Sequence, residues 1–547
     1  MTPPAKEDAR RTWLVLTGLL LVEFLVLDRL ISWHHAWVYP RWNDQIQYLT
    51  EAYTGYEYLR AHGLWAGLWQ TLVNPSAQGT LHDFFADIIF LFSGPSRSAA
   101  LAVNLFYFLA WQAALFFAVI KTTRSRPLAL AAVALVLACR APWWGGVGTL
   151  VDFRLDWGAC CAFGLALALA LCTASFRSTR WSLAFGAAVG FTLVTRFLTG
   201  AYFAPIFAVL LVWCLAGRDR GRRTGNLLLA ALTAGALAAP FFWLNREWVY
   251  NYYLIGHFTG PESAIRSPNM GVLRSTAWLL QTTWSWHIGA VGTGLVLAVT
   301  TWLALRAGMN RWQPPAGTDA HPAHPAGWGM PGAAFLLAPA MVLILHSQKS
   351  EPVLSILLPG VVVLVLGLWR WLAVRAATHA IPRGLGWGGV LVTGLLAVHA
   401  LATPERDPGF EAGARKVNEL ADYIYQTQER DDMKDPRIGV DQVTDAFDAQ
   451  IMRVICYERH RVWVPFMMTL PTGIMEEKPE VLFERLARSD FMFLTAQMPG
   501  DGHWPYDQEM RRLYPQLKSW CDQHLKPVDS FTVFDRQMLL YQRRDLK

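Results

Sequence analysis

Apolar stretches of about twenty residues follow one another from Thr12 to about Ala402, separated by short polar connections. About 20 apolar residues suffice to cross the hydrocarbon core of a bilayer as a helix, and a helix satisfies its own backbone there. The pattern predicts a polytopic α-helical membrane protein. Composition agrees: 53% of the 547 residues are hydrophobic and only 16% charged, more apolar than one soluble core requires. Near Thr403 the pattern stops. Residues 403–547 are charged and mixed and read as a small soluble α/β domain, so the expected division is a membrane module over 1–402 and a domain over 403–547.

The formal charge of +7 sits mainly in short loops between the apolar stretches, which points to positive-inside topology rather than to nucleic acid. With Lys6, Arg10 and Arg11 inside, a first helix over about 12–32 exports residues 33–98. No small-residue cleavage pattern follows it, so it reads as an uncleaved anchor. Helices near 99–120, 127–141 and 157–175 follow. The stretch from Trp181 to Ala216 lies between two basic loops and is short for two full passes, so it reads as a pair of short helices broken near Arg196 and Gly200. Further helices are expected near 225–243, 276–305, 331–346, 353–374 and 386–402, about eleven in all. That odd count puts the C-terminal domain outside. The 26 Trp residues suit the two water interfaces.

In the C-terminal part, RIGV and FMFLTA read as strands, TDAFDAQIMRVICYER and VLFERLARSD as helices, and SFTVFDRQMLLYQRR as a hairpin. No glycine-rich nucleotide fingerprint appears. Cys456 and Cys521 lie in this soluble part, where an oxidising compartment would allow them to pair, and the sequence leaves open whether they do. No run of residues has metal-ligand spacing, so no cofactor is expected, and a divalent cation has no motif to support it.

Three stretches predicted to lie on the outer side carry more charge than connections need: YPRWNDQIQYLTEAYTGYEYLRAHG, TLVDFRLDWGACC and HSQKSEPVLSILLPG. Ionisable groups at helix mouths are costly to bury and therefore pair or border an aqueous cavity. Asp44 opens a helical pattern, where it reads either as an N-cap or as a carboxylate poised to take a proton from a hydroxyl. Asp152, Arg154 and Asp156 alternate along the chain. A helix would align the two carboxylates, an extended segment would align all three, and both allow an ion pair. Structural pairing and contact with a polar headgroup both remain open for this trio. Arg196 at the helix break and Lys349 at a helix end suit phosphate oxygens, with snorkelling to the interface as the plainer role. His257, Glu262 and Arg266 lie in an aromatic outer loop and would cover a substrate or serve as an ordinary connection.

The exported WNDQIQYLTEAYTGYEYLRAHG, the segment DFFADIIFLFSGPS before the second helix, the carboxylate motif after the third, and KSEPVLSILLPG together resemble the GT-C membrane glycosyltransferases. The branch they resemble holds aminoarabinose transferases, protein O-mannosyltransferases and Rgt-type sugar transferases. The resemblance implies a sugar donor on a polyprenyl phosphate, an envelope glycolipid, glycan or protein acceptor, inversion at the anomeric carbon, and a place in the plasma membrane. It makes Asp44 the base, puts Asp152 and Asp156 at a second acidic site, and matches Arg196 and Lys349 to basic positions. This chain departs from the pattern at TLHDFF, where His82 or Asp83 replaces an acidic residue and a Lys-Pro pair. A transporter or flippase for lipid-linked glycans is the competing class. It requires internal repeats and midplane sites, whereas here the charges gather on one side.

Overall fold

The computed structural model describes residues 3–38, 44–259, 270–309, 326–346, 349–375, 391, 394–395, 397–402, 408–433, 436–441, 449–463, 466–468, 480, 483–484, 487–497, 505–533 and 536–546. Among these, seven helices are long and apolar enough to cross a membrane. The chain is a polytopic α-helical membrane protein with a small C-terminal α/β domain.

Helix α1 (Pro3–Leu30) ends in a π-helical turn, and the stretch that follows is mostly helical: α2 (Asp44–His62), α3 (Leu64–Val73) and α4 (Leu81–Ser93). The bundle continues with α5 (Arg97–Thr123), α6 (Arg126–Ala138), α7 (Leu155–Cys172), α8 (Thr179–Thr195), α9 (Thr199–Ala216) and α10 (Arg220–Leu244). Next come α11 (Gly271–Thr282), α12 (Gly289–Met309), α13 (Ala326–Leu345), a 3-10 turn over Pro352–Leu357, and α14 (Leu358–Arg375). Serines start two of these helices: Ser96 Oγ accepts from Ala99 N at 3.2 Å and Ser125 Oγ from Leu128 N at 3.3 Å, each satisfying an otherwise free amide. Glu23, in the first helix, accepts from Gln112 Nε2 of α5 at 2.8 Å.

Helix α7 packs between α5 and α8 and is almost wholly buried. Helices α8 and α10 meet through small residues. A side-chain carbon on Gly186 would fall 2.3 Å from Ala230 O, and one on Gly190 would fall 3.1 Å from Ala234 O. Lipid tails are as apolar as side chains, so close backbone approach of this kind is what holds membrane helices together.

The break expected near Arg196 is present. Helix α8 ends at Thr195, Arg196 is extended at φ −150° and ψ 111°, and α9 begins at Thr199. The freed backbone groups are taken up by the connection between α3 and α4. Phe197 N donates to Gln78 O at 2.8 Å, and Thr80 N donates to Val194 O at 3.2 Å. Gly79 sits against Thr195 with φ +151°, where an added Cβ would lie 2.3 Å from the Thr195 carbonyl oxygen. An interrupted helix persists in a membrane when protein satisfies its backbone, and that is the case here.

The C-terminal domain contains α15 (Pro408–Arg430), α16 (Ala449–His460) and α17 (Pro505–His524) around a five-stranded sheet. The sheet has the order β2-β1-β3-β5-β4, with β1 (Ile438–Val440) parallel to β2 (Phe466–Met468) and β3 (Phe491–Thr495). A hairpin of β4 (Leu525–Val533) and β5 (Arg536–Arg543) continues it antiparallel to β3. Alternate residues of β3 serve opposite faces: Phe491 and Phe493 join the core shared with α15 and α16, while Met492 and Leu494 pack with Leu513, Leu517 and Cys521 of α17. Cys456 and Cys521 therefore lie in different cores, and both are free thiols. The sequence read RIGV, FMFLTA and the hairpin as strands, and strands form there. Of the expected helix near 386–402, residues 391, 394–395 and 397–402 are described and are helical; of VLFERLARSD, Phe483 and Glu484 are helical and residues 487–490 leave the helix as a turn.

Candidate active site

The centre of the site is the mouth of α7. The segment before it is a turn followed by extended chain, and the helix starts at Leu155. Asp152 thus belongs to the turn and Asp156 to the first helical turn, and the two carboxylates have separate partners. Asp152, only 2% exposed, accepts from Gln45 Nε2 of α2 at 2.6 Å and from Gly148 N at 2.6 Å. Asn104 of α5 fixes the same turn by donating to Leu150 O at 3.2 Å and Asp152 O at 2.7 Å. Burial pushes the Asp152 carboxyl up to about 6, against the neighbouring Arg154 and the Gly148 amide.

Asp156 Oδ1 lies 2.5 Å from Arg196 Nη1, and Asp156 Oδ2 lies 3.4 Å from Arg154 Nε. Two guanidinium groups thus flank one buried carboxylate at the N-terminus of a helix, where the free amides also favour negative charge. Tyr48 of α2, Tyr202 of α9 and Tyr253 stand near enough to Arg196 to feel its charge. Tyr253 donates to Gln78 Oε1 at 3.2 Å, tying the chain after α10 to the turn that seals the helix break.

His82 on α4 is fully buried beside this pair. Its ring lies 4.5 Å from Phe153 and 6.1 Å from Tyr107, and neither ring nitrogen has a hydrogen-bond partner. Burial pushes the imidazole down to about 3, partly offset by Asp156, so it is neutral at pH 7. Asp83, next in sequence, faces Glu51 and Asp87 instead, and Asp87 accepts from Thr71 Oγ1 at 2.5 Å. Burial pushes Asp87 up to about 7.

The KSEP segment closes the site from the far side of the sequence. A Cβ on Gly148 would lie 2.4 Å from Pro352 Cα, and Ser355 Oγ donates to Asp156 O at 3.4 Å. Lys349 points elsewhere. Its ammonium donates to Leu343 O, Ile344 O and His346 O at 3.0, 2.9 and 2.6 Å, capping the C-terminal end of α13, where a cation offsets the helix dipole.

Of the residues singled out in the sequence, the structure brings Asp152, Arg154, Asp156, Arg196 and His82 together and sets Lys349 on a helix cap nearby. Asp44 is the first residue of α2, one position before Gln45, and its side chain lies outside the described residues. Glu262, Arg266 and the side chain of His257 also lie outside them. Gln45, Tyr48, Asn104 and Tyr253 escaped sequence reading. The first two stand inside the quoted exported motif, and amide and phenol side chains there were a usable signal. Among the described residues no three His, Cys, Asp or Glu side chains converge as metal ligands.

No family model matches the chain. A Na(+)/H(+) antiporter NhaA from Acidovorax sp. (strain JS42) is 30% identical over 249 residues, 42% of this chain and 55% of that protein, so the chain spans about half the length of the curated relative it matches. The solved structures reach further. ArnT from Cupriavidus metallidurans bound to undecaprenyl phosphate superposes with a TM-score of 0.54 at 16% identity, over 96% of this chain and 98% of that one. The apo form of ArnT gives 0.55 at 15% identity over 97% and 98%. The chain has the ArnT fold. The likeness takes in both the membrane bundle and the C-terminal sheet.

Proposed function

We propose that the protein is an inverting glycosyltransferase that moves a sugar from a polyprenyl phosphate to an envelope glycolipid, glycan or protein acceptor on the outer face of the plasma membrane. The observation that carries this reading is the likeness to ArnT over nearly the full length of both chains, one of those structures holding undecaprenyl phosphate. The site lies where this fold interrupts a membrane helix, and it offers guanidinium groups suited to a phosphate.

In this reading Asp44 takes the acceptor hydroxyl proton. The acceptor oxygen bonds to the anomeric carbon from the face opposite the phosphate, and the bond from that carbon to the phosphate oxygen breaks with its electron pair leaving on the phosphate. Arg196 and Arg154 receive the leaving charge, and a positioned cation that binds charge as it develops lowers the barrier. Asp156 keeps both guanidinium groups in place, and Asp152 holds Gln45 and with it the start of α2. Neutral His82 contacts the donor. Lys349 lies at the rim, and His257, Glu262 and Arg266 form the cover. The C-terminal domain, residues 403–547, stands on the same outer side.

The test is release of polyprenyl phosphate from synthetic polyprenyl-phosphate sugars by the purified protein, with envelope extracts as acceptors and mass spectrometry as the readout. Asp44→Asn should lose activity by about 100-fold or more, the usual contribution of a general base. Equal turnover by both forms would remove Asp44 from the mechanism. The partial likeness to an antiporter favours ion exchange as a second reading. Sodium-dependent proton flux in proteoliposomes with no sugar transfer would establish it instead.

A further inference from the structure

The opposite end of the bundle holds a second cavity. Asp156 and Cys172 stand at the two ends of α7, about 24 Å apart along a helix rising 1.5 Å per residue, close to the thickness of a hydrocarbon core. Beyond Cys172 a cavity of about 640 Å³ opens among the ends of α5, α7, α8, α9, α10, α13 and α14.

Four cations line it, and three of them lie over indole rings. Lys121 Nζ lies 4.7 Å from the centroid of Trp181, the Arg223 guanidinium 4.5 Å from Trp213, and that of Arg370 5.5 Å from Trp328. The fourth, Arg177, is paired with the exposed Asp219 at 3.1 Å. No carboxylate lines the cavity among the described residues.

Arg223 distinguishes this cavity from an ordinary interfacial belt. A snorkelling arginine carries its head out to water, but Arg223 is only 5% exposed and its Nη2 is buried without a hydrogen-bond partner. The structure spends backbone conformation to hold it there. Ala174, Ser175 and Phe176 are three consecutive non-glycine residues with φ of 52°, 60° and 64°, a region that side chains disfavour. The turn they form presents Ser175 O to Arg223 Nε at 2.9 Å and Phe176 O to Asn226 Nδ2 at 2.8 Å. Gly217 leaves room for the guanidinium: an added Cβ would fall 1.5 Å from Arg223 Nη1.

A buried guanidinium with an open donor and no facing carboxylate is costly unless an anion completes it. We propose that this cavity binds the phosphate of an anionic membrane phospholipid, with the three cations around the headgroup and the indole rings and Leu171 against its glycerol and first methylenes. Basic pockets between membrane helices recognise acidic headgroups in this way, and the mixed cationic and apolar lining suits a lipid better than a free ion. The proposal is independent of the sugar-transfer reading.

Native mass spectrometry of the full-length protein in detergent tests it, titrating phosphatidylglycerol against phosphatidylcholine of the same acyl chains. Wild type should retain phosphatidylglycerol preferentially. Lys121→Gln combined with Arg370→Gln should weaken that binding about 25-fold, at about fivefold per cation near a membrane surface. Gly217→Ala, which removes no charge, should also weaken it by displacing Arg223. Arg306→Gln is the control, since Arg306 lies over Trp302 outside the cavity, and it should change nothing. Equal binding of the two lipids, full binding by a normally folded double variant, or an equal loss in Arg306→Gln would overturn the proposal. Displacement of the lipid by millimolar inorganic phosphate would assign the cavity to a free anion and overturn the lipid assignment.

Discussion

The two ends of α7 solve the same electrostatic problem in opposite ways. At the Asp156 end the protein buries a carboxylate together with its counter-charges, Arg196 at 2.5 Å and Arg154 at 3.4 Å. At the Cys172 end it gathers cations on indole rings, and among the described residues no carboxylate lines the cavity. The first arrangement is complete in itself, so an incoming phosphate must compete with Asp156 for the guanidinium groups. In the proposed transfer, that competition would hold the cations in position before the phosphate arrives and let them release it afterwards. The second arrangement leaves a buried donor of Arg223 open, and under the lipid proposal an anion from outside completes it as a resident ligand.

Breaking the internal pair is the largest perturbation available. Arg196→Gln leaves Asp156 buried beside a weaker partner and should destabilise the protein by about 3–5 kcal/mol, the range for breaking a buried ion pair from one side. Asp156→Asn with Arg196→Gln removes both charges and should recover much of that stability while sugar transfer stays lost. Thermal unfolding of the two single variants and the double variant checks the coupling. Additive losses would mean that the two side chains do not act as a pair.

Asp152 gives a smaller effect with a definite sign. Its folded-state pKa of about 6 lies above the ordinary 3.8, mainly through burial. Its contribution to stability is therefore fully present below about pH 3.8 and is lost as pH rises through about 6. Asp152→Asn should remove that dependence, so the variant gains on wild type between pH 4 and 7. Denaturant unfolding across this range reads it. If ionised Asp152 is also needed to hold Gln45, wild-type activity falls as pH drops below about 6, and a profile unchanged by Asp152→Asn excludes that role.

How much of this was legible follows from the range of each interaction. The helix break was readable because Arg196 and Gly200 interrupt a stretch too short for two full spans, a local signal. The Asp152, Arg154 and Asp156 trio was visible as charges at a helix mouth, but not how it divides. Asp156 finds Arg196 forty positions later and Asp152 finds Gln45 more than a hundred positions earlier, and one sequence carries no pairing information over such distances. Lys349 shows the converse. Its motif was conspicuous, yet its ammonium is engaged by three carbonyls of the preceding helix end, a local capping role already present in the spacing of a lysine three to six residues after those carbonyls.

The smallest expected effect concerns a contact that neither end of α7 contains, between α2 and the C-terminal domain. Tyr53 donates to Glu458, Tyr457 donates to Glu57, and the two phenol rings lie 5.2 Å apart, so α2 and α16 exchange two tyrosine–carboxylate hydrogen bonds in opposite senses. Helix α2 also carries Gln45, the partner of Asp152, so the domain touches the helix whose first turn reaches the site. Burial pushes Glu458 up to about 8, against the pull of Arg461. The raised value means that the contact is strongest below the ordinary glutamate range and weakens as pH rises through about 8. Glu458→Gln keeps an acceptor for Tyr53 and should abolish that dependence, whereas Tyr53→Phe removes the donor and should cost about 1–2 kcal/mol at any pH. Limited proteolysis between the bundle and the domain at pH 6 and pH 9 separates the two. Wild type should open more readily at the higher pH, Glu458→Gln should not respond, and a kcat that falls with opening while KM holds would place the domain's influence on α2 rather than on binding.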